Sequence, residues 1–162
     1  MRIAIINEVS ASMKNADIIR ALSPLDAQIY NVGMASPEEK PELTYIHTGL
    51  MAAILLNAKA CDIVVGGCGT GQGFLNSAMQ YPNVFCGLIT NPLDAWLFSQ
   101  INGGNCVSLA LNKGYLPLPY PFNRWPWFGG CRRSFQASAA WRKDGRSGWG
   151  YPSGSIERMD AV

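Results

Sequence analysis

One cysteine sits at the centre of a glycine-dense run, Asp62-Ile-Val-Val-Gly-Gly-Cys68-Gly-Thr-Gly-Gln-Gly73. The apolar residues read as a buried strand entering a glycine-rich turn, with a helix-like segment after it. Such a turn presents several backbone N–H groups where negative charge is favoured. The same setting favours the thiolate of Cys68, which makes that thiol a candidate proton-transfer base. A lone cysteine in a tight turn is equally well read as a small apolar residue, so both readings stand at this point. The glycines fall at Gly67, Gly69, Gly71 and Gly73, which departs from the dinucleotide pattern G-x-G-x-x-G, and the P-loop lysine is missing. Both departures count against a nucleotide site.

A second polar cluster, Asn7, Glu8 and Ser10, follows the first apolar run. Such a cluster can hold sugar hydroxyls, with Glu8 shuttling protons. Equally, Ser10 or Ser12 can cap the next helix while Glu8 is solvated. Thr90, Asn91 and Asp94 follow another strand-like run, where Asn91 before Pro92 is a natural helix cap. Asn102 and Asn105 flank a Gly-Gly turn. His47, the one histidine, lies with Tyr45 in a long helical pattern, where a structural role is the commoner one. The spacing of the five cysteines suits no metal site.

The elements that must position these residues alternate. Strand patterns cover Arg2–Asn7, Ala27–Val32, Asp62–Gly66, Val84–Ile89 and Cys106–Leu111. Helical patterns cover Ser12–Leu22, Glu42–Ala60, Phe74–Met79 and Pro92–Ile101. In the first helix Met13, Ala16, Ile18 and Ile19 form the apolar side; in the second it is Leu43, Ile46, Leu50, Ile54 and Ala58. The alternation predicts an α/β fold, with an open five-stranded parallel sheet and helices on both faces. Ligands in such sheets bind beyond the carboxyl ends of the strands. The loops Asn7–Ser10, Gly67–Gly73 and Thr90–Asp94 are expected to meet there.

Bulk properties agree with one globular domain: 162 residues, 48% hydrophobic and 15% charged. Residues 1–114 carry 6 basic and 8 acidic side chains, whereas 115–162 carry 7 and 3. Nothing in the first part suggests a nucleic-acid surface, and no apolar run approaches a membrane span. The cysteines read as reduced thiols of a cytoplasmic protein.

Taken together, Cys68-Gly-Thr-Gly-x-Gly73 after a strand, a later helix ending Gln100-Ile-Asn-Gly-Gly-Asn105, and the apolar strand that follows resemble the ribose-5-phosphate isomerase B and galactose-6-phosphate isomerase family. The resemblance covers residues 1–114. Asn7-Glu8-Val9-Ser10, Leu43-Thr-Tyr45 and Gly49–Asn57 are similar to an atypical branch, some of whose members resemble isomerases of 4-deoxy-5-hexosulose uronate. The resemblance implies a Rossmann-like three-layer α/β/α domain that isomerises a sugar phosphate or sugar acid through an enediol(ate), with no metal or organic cofactor. It implies Cys68 as base and Thr70 near the reacting end. The Gly69, Gly71 and Gly73 amides would form an anion cradle, and Asn102 would contact the substrate. Asn7, Glu8, Ser10, Thr90 and Asn91 stand where the family's remaining site residues fall. Thr90 replaces the family's ring-opening histidine, which favours an open-chain substrate or another acid. A homodimer or homotetramer with the site near a subunit interface is also implied. The alternative reading is an impaired or non-catalytic Rossmann-like module that binds a small molecule or nucleotide.

From Tyr115 the pattern stops. Four of five tryptophans and six of eight arginines lie in 115–162, and neither helical nor strand period persists. This segment is expected to be an irregular tail, and a shifted reading frame near Gly114 would account for its composition.

Overall fold

The computed structural model describes residues 1–113. The expected irregular tail, 115–162, lies outside the described residues. Strands and helices alternate as β1 (Arg2–Asn7), α1 (Asn15–Leu22), β2 (Gln28–Asn31), α2 (Tyr45–Asn57), β3 (Ile63–Cys68), α3 (Gln72–Ala78), β4 (Cys86–Ile89), α4 (Pro92–Leu97) and β5 (Cys106–Ala110). All strand pairs are parallel, in the order β2-β1-β3-β5-β4.

Successive strand residues point to opposite faces, and here both faces are covered. Ile3, Ile5, Ile63, Val65, Val107 and Leu109 pack with Ile18 and Leu22 of α1 and Ala95 of α4. Ala4, Ile6, Val64, Cys68 and Cys106 pack with Ala52 and Ala53 of α2 and with Phe74 and Ala78 of α3. The result is the expected Rossmann-like three-layer α/β/α arrangement. Double coverage also explains why the strands read as near-continuous apolar runs. At the amino-terminal edge, Arg2 and Asp62 tie the starts of β1 and β3 through an ion pair of 2.7 Å.

The strand order decides what surrounds Cys68. Because β5 inserts between β3 and β4, the carboxyl ends of β1, β3 and β5 are neighbours, and β4 lies at the sheet's edge. At about 4.8 Å per strand, the end of β4 stands roughly 10 Å from that of β3. The chain passes from β1 to β2 on one side and returns as β3 on the other. The crevice between β1 and β3 is thus a topological switch point.

Two helices differ from their apolar patterns. A 3-10 stretch, Val9–Lys14, precedes α1. In α1 itself Asn15, Ile18 and Leu22 are buried while Ile19 is exposed, as is Met13 in the 3-10 stretch. In α2 the buried residues are Thr48, Gly49, Ala52 and Ala53, and Ile46, Leu50 and Ile54 are 59%, 44% and 56% exposed. A helix apolar all round has no period that selects a face. The side of small residues lies close against its neighbours, and the bulky residues turn outward. At the start of α2 the His47 ring nitrogen Nδ1 accepts the Thr44 N–H at 3.1 Å, a capping arrangement that gives this histidine a structural role.

Candidate active site

Cys68 is the last residue of β3 and is buried beneath the loop it begins. Its Sγ lies 3.9 Å from Thr70 Oγ1. The turn closes when the Gly71 N–H donates to the Cys68 carbonyl at 3.2 Å. Gly71 has φ +76° at the N-cap of α3, a left-handed conformation that favours glycine. Two residues on, a Cβ at Gly73 would lie 2.8 Å from Cγ of Tyr45. The missing side chain lets the Tyr45 ring pack flush against the loop, which places Tyr45 beside the site although its sequence position left its role open.

The first loop reaches the same place from β1. Glu8 is buried. The Ser10 hydroxyl donates to Glu8 Oε1 and accepts the Gly69 N–H at 3.1 Å. A hydrogen-bonded chain therefore runs from the amide after Cys68, through Ser10, to a carboxylate. Asn7 is fully buried and donates through Nδ2 to Asn15 Oδ1 at 2.9 Å. Its own Oδ1 is buried with no partner. Asn7 is thus tied to the start of α1 through Asn15, at the end of β1 that leads into Glu8 and Ser10.

The third side of the site comes from the end of β5, which sequence reasoning missed. The Leu111 N–H donates to the Cys68 carbonyl at 3.1 Å, and the Asn112 N–H to the Gly69 carbonyl at 3.0 Å. The Asn112 side chain crosses the loop and donates to the Ser10 carbonyl at 2.8 Å. No local motif marks Asn112. Its importance follows from β5 lying beside β3, a fact of strand order.

These bonds redistribute the expected amide cradle. The Gly69 and Gly71 N–H groups are engaged by Ser10 and Cys68. Among the described residues, the N–H groups of Thr70 and Gly73 take no protein acceptor. Those two, with the Phe74 N–H that follows and likewise takes no acceptor, are the amides left to meet an anion at this turn.

The loop after β4 does not join the cluster. Asn91 caps α4 by accepting the Asp94 N–H at 2.9 Å. The Thr90 hydroxyl and N–H both donate to the Asp94 carboxylate. Burial pulls that carboxyl up, but the Thr90 and Asn91 hydrogen bonds outweigh it and hold it below the ordinary aspartate range. Thr90 and Asn91 are therefore committed to a helix cap at the sheet's edge. Asn102 ends a π-helical turn, Phe98–Asn102, that leads into the start of β5. In a parallel sheet that start lies at the opposite edge from Cys68. Within one copy of the chain the two are apart.

Among the described residues no helix is long and apolar enough to cross a membrane, and no cluster of three or more His, Cys, Asp or Glu side chains is placed to hold a metal.

A family model described as Ribose/Galactose Isomerase matches residues 3–114. The crystal structure of a 4-deoxy-L-threo-5-hexosulose-uronate ketol-isomerase complexed with a tartrate is 36% identical, with a TM-score of 0.71 over 91% of this chain and 79% of that one. A ribose-5-phosphate isomerase structure from Vibrio parahaemolyticus is 37% identical, with a TM-score of 0.71 over 100% of this chain and 82% of that one. Ribose-5-phosphate isomerase B of Clostridium thermocellum, at 21% identity and a TM-score of 0.67 over 89% and 99%, shares the fold. No curated protein sequence matches significantly.

Proposed function

This chain belongs to the ribose/galactose isomerase family, and we propose that it interconverts an aldose and a ketose through an enediolate with Cys68 as the base. The observation that carries this reading is the placement of the Cys68 thiol 3.9 Å from Thr70 Oγ1 at the switch-point crevice, beside the Ser10–Glu8 pair. The Cys68 thiolate removes the proton from the carbon next to the carbonyl and returns it to the neighbouring carbon. The hydroxyl proton moves in the same direction, from the oxygen of the carbon that loses its hydrogen to the oxygen of the carbon that gains it, through Ser10, which Glu8 polarises from behind. The Thr70 and Gly73 N–H groups face the oxygen on which negative charge develops. The hydrogen lost at one carbon is regained at the next, so the step calls for no redox cofactor.

The substrate class proposed is an open-chain sugar phosphate or sugar acid. Thr90 and Asn91 are tied up with Asp94, and His47 is tied to Thr44. No ring-opening acid is therefore supplied by those positions. A substrate contact from Asn102 calls for a second copy of the chain, because Asn102 lies at the far edge of the sheet from its own Cys68. The uncovered Ile46, Leu50 and Ile54 side of α2 supports a homo-oligomer as well.

The test is aldose–ketose interconversion on ribose 5-phosphate, galactose 6-phosphate, allose 6-phosphate and the deoxyhexosulose uronate, with Cys68→Ala as control. Loss of a positioned proton-transfer group should lower kcat by about 10²- to 10⁴-fold on the true substrate. Equal rates for wild type and variant on every substrate would sink the reading and favour a non-catalytic binding module.

A further inference from the structure

We propose that Asn112 is a positioning residue of this reaction: it holds the Gly69–Thr70 peptide so that the Thr70 N–H is turned toward the reacting oxygens. The proposal rests on the isomerase reading above. In a trans peptide the C=O and the following N–H point in opposite directions, and the cis bond of the described chain is elsewhere, at Lys40–Pro41. The Gly69 carbonyl accepts the Asn112 N–H at 3.0 Å. The Thr70 N–H of the same peptide must then point away from Asn112, and it takes no protein acceptor. One peptide earlier, the Cys68 carbonyl is held by the Leu111 N–H at 3.1 Å, and the opposed Gly69 N–H is held by Ser10 Oγ at 3.1 Å.

The Cys68–Gly69 peptide is thus held from the end of β5 on one side and from the first loop on the other, and the Gly69–Thr70 peptide from the end of β5 alone. Asn112 is the residue that bonds to both sides. Its N–H holds the glycine loop, and its Nδ2 holds the Ser10 carbonyl at 2.8 Å. Gly69 leaves room for this bridge: a Cβ there would lie 3.2 Å from Asn112 Nδ2 and 3.2 Å from Ser10 Oγ. A peptide that follows glycine rotates easily, so its direction needs an external hold. Asn112 is exposed, so truncating its side chain removes little core packing. The effect falls on the orientation of the loop.

The experiment compares Asn112→Ala and Asn112→Asp with wild type in the full chain. Each variant removes the Nδ2 bond to the Ser10 carbonyl but keeps the Asn112 backbone N–H, so the pair tests whether that side-chain bridge is what fixes the N–H against the Gly69 carbonyl; the aspartate keeps the side-chain shape. Removing one such transition-state donor outright costs about 10²- to 10³-fold, and misdirecting it should cost at least about tenfold in kcat. KM should stay within about threefold, since the donor acts on charge that develops only in the transition state. Affinity for a hydroxamate mimic of the enediolate should fall by the same factor as kcat. Amide hydrogen exchange supplies a second readout that does not depend on turnover. Protection of the Gly69 N–H should be lost in both variants while that of the Leu111 N–H remains. Wild-type turnover with an undiminished kcat in Asn112→Ala, or a loss confined to KM, overturns the positioning role alone. Retained Gly69 protection in both variants also overturns it. Inactivity of the wild type on every substrate overturns the isomerase reading, and this role with it.

Discussion

Alanine substitutions at Gly69 and Gly71, one residue between them, should fail in opposite ways. At Gly71 the backbone has φ +76°, which costs an L residue about 1–2 kcal/mol. A Cβ there would lie 2.4 Å from Leu88 Cδ1 and 3.2 Å from the Ala110 backbone nitrogen. The end of Leu88 can turn aside, but the β5 backbone cannot, and such overpacking costs about 1–3 kcal/mol. Alanine restricts the unfolded chain, which offsets about 0.4–1 kcal/mol. Gly71→Ala should therefore destabilise the fold by about 2–4 kcal/mol, a fall of roughly 1–2 M in the urea midpoint at an ordinary denaturant slope. Gly69 is not among the glycines with positive φ, and its Cβ would meet two side-chain atoms, Asn112 Nδ2 and Ser10 Oγ, at 3.2 Å each. Gly69→Ala should keep the urea midpoint within about 0.5 M while isomerase turnover falls, because the atoms displaced are those that hold the loop. The assay is urea unfolding followed by far-ultraviolet circular dichroism, paired with turnover. Wild-type stability in Gly71→Ala, or a larger stability loss at Gly69 than at Gly71, would refute the turn geometry on which the site is built.

Burial pushes the Cys61 thiol up to about 11, helped by the Asp62 carboxylate and opposed by Arg2; burial raises Cys106 as well. A raised value means that the folded state keeps a proton the unfolded chain gives up. This contribution to stability is complete below the ordinary thiol value of 9.0 and is lost as pH rises toward 11. Urea midpoints measured between those limits should fall less steeply in Cys61→Ala than in wild type, and a parallel fall would contradict the assignment. At the start of α2, His47→Ala should cost about 1 kcal/mol by removing the acceptor for the Thr44 N–H. His47→Gln should retain most of that, because glutamine can reach back to the same donor; an equal loss in both variants would show that the ring caps nothing.

The alternation of strands and helices was legible because each parallel strand is covered on both faces and so reads as a short apolar run. The glycine turn was legible because a left-handed residue such as Gly71 must be glycine. Asn91 as a cap was legible from the proline beside it. The buried face of α2 was not. Its apolar residues surround the helix, and the packed side is chosen by size, with Gly49, Ala52 and Ala53 admitted close to their neighbours. Nor could the fate of Asn7 be read, since its pairing with Asn15 depends on where α1 begins. The loop Thr90–Asp94 is expected at the site because it follows the carboxyl end of a strand, but the sequence does not show that β5 comes between that strand and β3.

Strand order also explains how the chemistry is divided. The proposed base stands on β3, the proposed proton relay follows β1, and the residue proposed to direct the anion-binding peptide follows β5; these are the three central strands in space. The edge strand β4 contributes Leu88 beneath Gly71 and otherwise builds its own helix cap. Every proposed proton-transfer group thus lies on one edge of the sheet, while Asn102 lies on the other. A substrate bound at Cys68 can meet Asn102 only from a second molecule, and in a two-fold pair that contact would be made twice, once for each crevice. Disrupting such a pair should therefore abolish the Asn102 contribution to binding while leaving the Cys68, Ser10 and Asn112 geometry, which is built within one chain, unchanged.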